Sequence, residues 1–91
     1  VNALYFVVRA DIDRGRQMAQ LIHAMDEWAH RYGSSRGRVI VYSVRNEEAL
    51  LRLWESLPAG GKSACFHEPD LQGQMTAFAT SWGPLGLSLA T

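Results

Sequence analysis

Apolar and polar positions alternate along the chain in short blocks, and the blocks predict two kinds of element. Leu4-Tyr5-Phe6-Val7-Val8 is a continuous apolar, β-rich run that stops at Arg9. Such runs suit a strand covered on both faces. Asp11 to Gly15 reads as a polar turn. From about Arg16 to Tyr32 the spacing becomes helical, with Met18, Leu21, Ile22, Met25, Trp28, Ala29 and Tyr32 on one side at ~100° per residue. Gly33-Ser34-Ser35-Arg36-Gly37 breaks that helix.

Val39 to Val44 predicts a second strand. Asn46 is placed to cap a second helix, with Glu47 and Glu48 against its positive end. Leu50, Leu53, Trp54 and Leu57 give that helix its apolar face, and Pro58 with Gly60-Gly61 ends it. Ser63 to His67 predicts a third strand and Thr76 to Ser81 a fourth, with Glu68-Pro69-Asp70 and Gly73 in the loop between. Leu85, Leu87 and Leu89 alternate after the Trp82-Gly83-Pro84 stop and suggest a short final edge strand, through which a homodimer could pair. Trp82 reads as an exposed aromatic. The order β-α-β-α-β-β predicts an α/β sandwich with a mixed sheet and one antiparallel strand in the last pair. The pattern leaves open whether the two helices share a face.

Composition narrows the function classes. A chain of 91 residues fits one domain, residues 1–91, and a hydrophobic content of 47% excludes a disordered segment. No apolar run approaches the ~18 residues of a membrane span, and no leader precedes the first strand, so a cytoplasmic protein is expected. Nine basic and nine acidic side chains cancel. Binding to nucleic acid would therefore rest on a local patch rather than a global field. Six arginines against four acids in the first 38 residues supply a mild one. The single cysteine, Cys65, excludes an intrachain disulfide and reads as a buried small hydrophobe. His23 and His30 lie two turns apart, ~10 Å, too far to share a metal ion. No metal or cofactor is expected.

Two features carry candidate chemistry. Arg16, Gln20, His23, Glu27 and His30 form a polar stripe on the first helix, opposite its apolar side, flanked by the small Ala19 and Ala24. The stripe begins where the helix leaves the first strand, the end at which α/β folds place their sites. Glu68 and Asp70 stand at the exit of the third strand, held by Pro69, where a carboxylate can serve as a general base. A solvated stripe and a solvent-exposed turn are the structural alternatives.

Val7-Val8-Arg9-Ala10-Asp11 followed by Arg14-Gly15-Arg16-Gln17-Met18-Ala19-Gln20-Leu21-Ile22-His23-Ala24 resembles the opening of the type 2 (archaeal/eukaryotic-type) peptidyl-tRNA hydrolases. Thr76-Ala77-Phe78-Ala79 and Gly83-Pro84 resemble that family's later Thr-led strand and Gly-Pro turn. The resemblance implies a three-layer α/β/α sandwich with a mixed four-stranded sheet, no metal, and cleavage of the ester joining a peptide to tRNA. It implies site roles for Arg16, in the place of the family lysine, for Gln20, His23 and Thr76, and for Glu68 or Asp70 as the base. The family's Asp-Ala-Gly turn is replaced here by Glu68-Pro69-Asp70. Arg14, Arg36 and Arg38 are the expected contacts to RNA phosphates. A relative that binds RNA or a protein without cleavage is the alternative.

Overall fold

The computed structural model describes residues 3–34 and 37–83. Arg36, Pro84 and the Leu85, Leu87, Leu89 alternation lie outside the described residues. The elements are β1 (Ala3–Arg9), α1 (Arg14–Tyr32), β2 (Arg38–Val44), α2 (Glu47–Ser56), β3 (Ser63–Glu68) and β4 (Gln74–Thr80), with one 3-10 turn over Pro69–Leu71 between the last two strands. The described chain is thus α/β, with a four-stranded mixed sheet and two helices. The strands lie in the order β2-β1-β4-β3. β1 and β2 are parallel, and β4 runs antiparallel to both of its neighbours, β1 and β3.

Local chemistry explains where the helices start and stop. The Asp13 side chain accepts a hydrogen bond from the Arg16 amide at 2.9 Å, so α1 begins at Arg14, two residues before the hydrophobic period becomes visible. Gly33, at φ 85°, closes it, with its amide donating to the Ala29 carbonyl. Asn46 accepts from the Ala49 amide at 3.0 Å and caps α2 as its sequence position predicts. β4 starts at Gln74, two residues earlier than its apolar run.

Two groups of buried side chains sit on opposite sides of the pleat. Leu4, Phe6 and Val8 of β1 pack with Ala24 and Trp28 of α1 and with Ala64, Ala77 and Ala79. Val7 packs with Leu50 of α2 and with Tyr42, Met75 and Phe78. The alternation along β1 is that of a strand buried on both faces. α1, however, is not buried along its expected apolar side. Its buried residues are Gln20, Ala24 and Trp28, whereas Met18 and Ile22 remain 63% and 64% exposed. The helix lies over β3, β4 and β1 rather than over β2. It is rolled so that the row through the small Ala24 meets the sheet, which permits close approach. The roll turns the Arg16–Gln20–His23 side toward β3 instead of opposite the core. Trp82 also departs from expectation. It is half-buried against Gly61, where a side chain on residue 61 would collide with the indole.

Arg9 is nearly buried and ties the end of β1 to the start of β4. Its guanidinium donates to both Asp11 carboxylate oxygens at 2.9 Å, to Gln74 Oε1 at 2.8 Å and to the Met75 carbonyl at 3.3 Å. Glu47 accepts from the Met75 amide at 2.9 Å and joins α2 to the same corner. The bonds from Arg9 hold the Asp11 carboxyl below the usual carboxylate range. Folded Asp11 therefore takes up its proton less readily than in the unfolded chain. The stability it contributes is complete above the unfolded value and is lost as pH falls through the lower folded one. Asp11 is about a third exposed, which reduces the effect. Asp11→Asn is expected to lower unfolding stability by about 1–2 kcal/mol at neutral pH, measured by urea denaturation, with the difference closing as pH is lowered.

Candidate active site

Three sequence-predicted site residues form one hydrogen-bonded chain between α1 and the sheet. The Thr76 hydroxyl donates to Gln20 Oε1 at 2.7 Å, and Gln20 Nε2 donates to Glu68 Oε1 at 2.9 Å. Gln20 is 4% exposed and Thr76 fully buried. The orientation of the amide follows from its partners. An ionised carboxylate only accepts, so nitrogen must face Glu68. The carbonyl then faces Thr76, whose hydroxyl must donate.

Each member is positioned by a local feature. Gln20 stands one turn before Ala24 on the buried row of α1. Thr76 reaches the same side because the β3–β4 register shifts: Phe66 pairs with Ala77, but His67 pairs with Met75. Met75 and Phe78 both pack on the α2 side, and Ala77 packs on the α1 side, so the strict alternation breaks at Thr76. A bulge of this kind re-aims a side chain. Glu68 ends β3 and caps the turn that follows: its Oε2 accepts from the Asp70 amide at 3.3 Å. The turn is completed by Gln72 and Gly73, both at positive φ, with the Gly73 amide donating to the Glu68 carbonyl.

Glu68 is therefore the carboxylate that meets α1. Asp70 contributes its backbone amide, and its side chain is exposed. The Gln20 bond chiefly, then the Asp70 amide, hold the Glu68 carboxyl below its usual range, with smaller contributions from His23 and Arg16. Glu68 is ionised at neutral pH. Its two oxygens have roughly four acceptor sites, of which Gln20 and Asp70 use two, leaving capacity for a water.

Arg16 and His23 flank this chain. The His23 ring stacks on Phe66 with centroids 4.4 Å apart and planes 19° apart, beside Glu68 on β3. Arg16 lies within electrostatic reach of Glu68, and its nearest ion-pair partner is Asp13 at 3.8 Å, with both groups well exposed. That pair is weak, so the guanidinium can turn toward a ligand. Arg14 and Arg38 do not form one patch. Arg14 follows the end of β1, whereas Arg38 pairs with Ala3 at its start, about 20 Å away along the strand. No group of three or more His, Cys, Asp or Glu side chains fit for a metal ion occurs among the described residues.

Sequence reading missed the Arg9 corner, because a lone Arg after an apolar strand looks like a solvated end. It also missed the pairing of His67 with Cys65. Cys65 is half-buried rather than buried, on the outer strand β3, with its sulfur 3.6 Å from His67 Nε2. His67 Nδ1 lies 3.0 Å from the Gly73 carbonyl, the other side of the turn that Glu68 caps.

Gln20→Leu removes the largest influence on Glu68. Its carboxyl is expected to titrate higher, back toward the ordinary glutamate range, when followed by carbon-detected NMR. An unchanged titration would mean that the amide does not hold the carboxylate. No protein-family model and no curated protein sequence matches the chain.

Proposed function

We propose that the chain is a hydrolase of the type 2 peptidyl-tRNA hydrolase kind, cleaving the ester between a peptide and tRNA. The two core groups on either side of the pleat support reading the fold as a three-layer α/β/α sandwich. The observation that carries the functional reading is the convergence of Gln20, Glu68 and Thr76, distant in sequence, on one hydrogen-bonded chain with Arg16 and His23 at its rim.

In this reading Glu68 positions a water and accepts its proton as the oxygen attacks the ester carbonyl. Thr76 fixes Gln20, and Gln20 fixes Glu68, so the base is held without rearrangement. Arg16 faces the negative charge that develops on the carbonyl oxygen and stabilises it as a preorganised donor. It cannot supply a proton, because a guanidinium stays charged at working pH. The proton needed by the leaving ribose oxygen therefore returns from Glu68. A carboxyl titrating low is a weak base but is fully ionised at neutral pH. Turnover should be flat there and fall only where Glu68 becomes protonated, below the ordinary glutamate range.

Two features favour a second reading, binding of RNA without cleavage. Both Glu68 oxygens already hold structural partners, and Arg16 replaces a group able to transfer protons. Release of peptide from peptidyl-tRNA separates the two. Glu68→Gln is expected to lower turnover by roughly 10²–10⁴, the usual worth of a general base, with the fold intact by circular dichroism. RNA retention with no cleavage by the wild-type chain at high concentration would leave the binding reading.

A further inference from the structure

A pair of donor side chains on β3 takes no part in the Glu68 site. Alternation along the strand sends Ala64, Phe66 and Glu68 toward α1, and sends Cys65 and His67 to the opposite face. On that face α2 lies mainly over β4, β1 and β2, and β3 is an outer strand of the sheet. The pair therefore stands where the core group around Leu50 and Phe78 meets solvent. Cys65 is half-buried and His67 is exposed.

The backbone holds the imidazole in one tautomer. His67 Nδ1 lies 3.0 Å from the Gly73 carbonyl oxygen. A carbonyl only accepts, so Nδ1 carries the proton and Nε2 presents a bare lone pair. That lone pair faces the Cys65 sulfur at 3.6 Å. Burial pushes the Cys65 thiol up from its ordinary range, so the sulfur keeps its proton at neutral pH. The resting contact is a weak S–H···N bond. Gly73 itself is fixed by the turn after β3, where its amide donates to the Glu68 carbonyl.

This arrangement matches half of a zinc ligand set. A tetrahedral zinc ion takes a thiolate sulfur at ~2.3 Å and an imidazole nitrogen at ~2.0–2.1 Å, which sets the two donors roughly 3.5–3.6 Å apart. The spacing here is 3.6 Å. A metal-bound histidine almost always donates its other ring N–H to a carbonyl, a carboxylate or water, as His67 does to Gly73. Thiolate and imidazole favour zinc-like ions over Mg²⁺ and Ca²⁺, which take oxygen ligands.

The geometry points to Cys65 Sγ and His67 Nε2 as a two-donor chelate for Zn²⁺, with the remaining coordination positions open to water or to groups of another molecule. On binding, the S–H bond breaks, its proton leaves to solvent and an S–Zn bond forms. The imidazole gives its Nε2 lone pair and loses no proton. The chelate lies on the other face of β3 from the Gln20–Glu68 bond, and the inference is independent of the hydrolase reading.

Cobalt(II) and zinc titrations of the whole, reduced chain test it. Cobalt is expected to give the near-ultraviolet charge-transfer band of a thiolate ligand. Zinc should remove that band by displacement, and magnesium should leave it unchanged. Cys65→Ser should abolish the band, and His67→Gln should cut zinc affinity tenfold or more, with circular dichroism unchanged. His67 is exposed, so its variant decides the matter if the serine variant folds poorly. Ring-nitrogen NMR should place zinc on Nε2 of His67 while Nδ1 keeps its proton. His30→Gln, on α1 across the sheet, should bind zinc as the unaltered chain does. No band at millimolar cobalt, a zinc affinity indifferent to His67→Gln, or an equal loss in His30→Gln would overturn the inference.

Discussion

A glutamine amide buried between a helix and a sheet is the constraint around which this fold is arranged. Leaving such an amide without partners costs on the order of 1–3 kcal/mol, so Gln20 can face the sheet only where both of its ends are met. Thr76 meets one end and Glu68 the other. That requirement accounts for the roll of α1 and for the break in β4 alternation at Thr76. It also accounts for the position of the turn after Glu68. A bulge without the glutamine would leave a buried hydroxyl unpaired, and a glutamine without the bulge would face Met75, which strict alternation from Ala77 puts on the α1 side.

The same roll has two consequences. It carries Arg16 and His23 to the side where Glu68 leaves β3, which assembles the candidate site. It also leaves Met18, Ile22 and Met25 exposed on the other flank, beside β2. A helix centred over the sheet would bury those residues and would separate Arg16 from Glu68. The corner built by Arg9, Asp11, Gln74 and Glu47 lies at the same end of the strands. It fixes the start of β4 just before the residue whose direction matters most.

Much of this was legible in the residues. Val-rich runs and helix caps located the elements, and Asn46 and Gly33 act as their sequence positions imply. Arg16, Gln20, His23, Glu68 and Thr76 were recognisable as candidates, the first three as a helical stripe and Thr76 through its resemblance to a family motif. What was not legible is rotational. Helical periodicity marks the more apolar side of α1, but the buried side was decided by Ala24 and by the partners available to Gln20. A register shift between strands leaves no trace in the composition of Met75-Thr76-Ala77. The early start of α1 depended on Asp13, a single capping residue that polar neighbours disguise. Arg38 and Arg14 looked adjacent because they are both in the first part of the chain, yet β1 and β2 set them at opposite ends of the sheet.

The account stands on the coupling of Gln20 to Thr76. A double-mutant cycle of Gln20→Leu and Thr76→Val, read as unfolding free energy in urea, measures it directly. The expected interaction energy is about 0.5–3 kcal/mol, because either single change strands the polar group of the other residue and the double change strands neither. Additive effects within about 0.3–0.5 kcal/mol would mean that the two side chains are independent, and that nothing in the core dictates how α1 is turned.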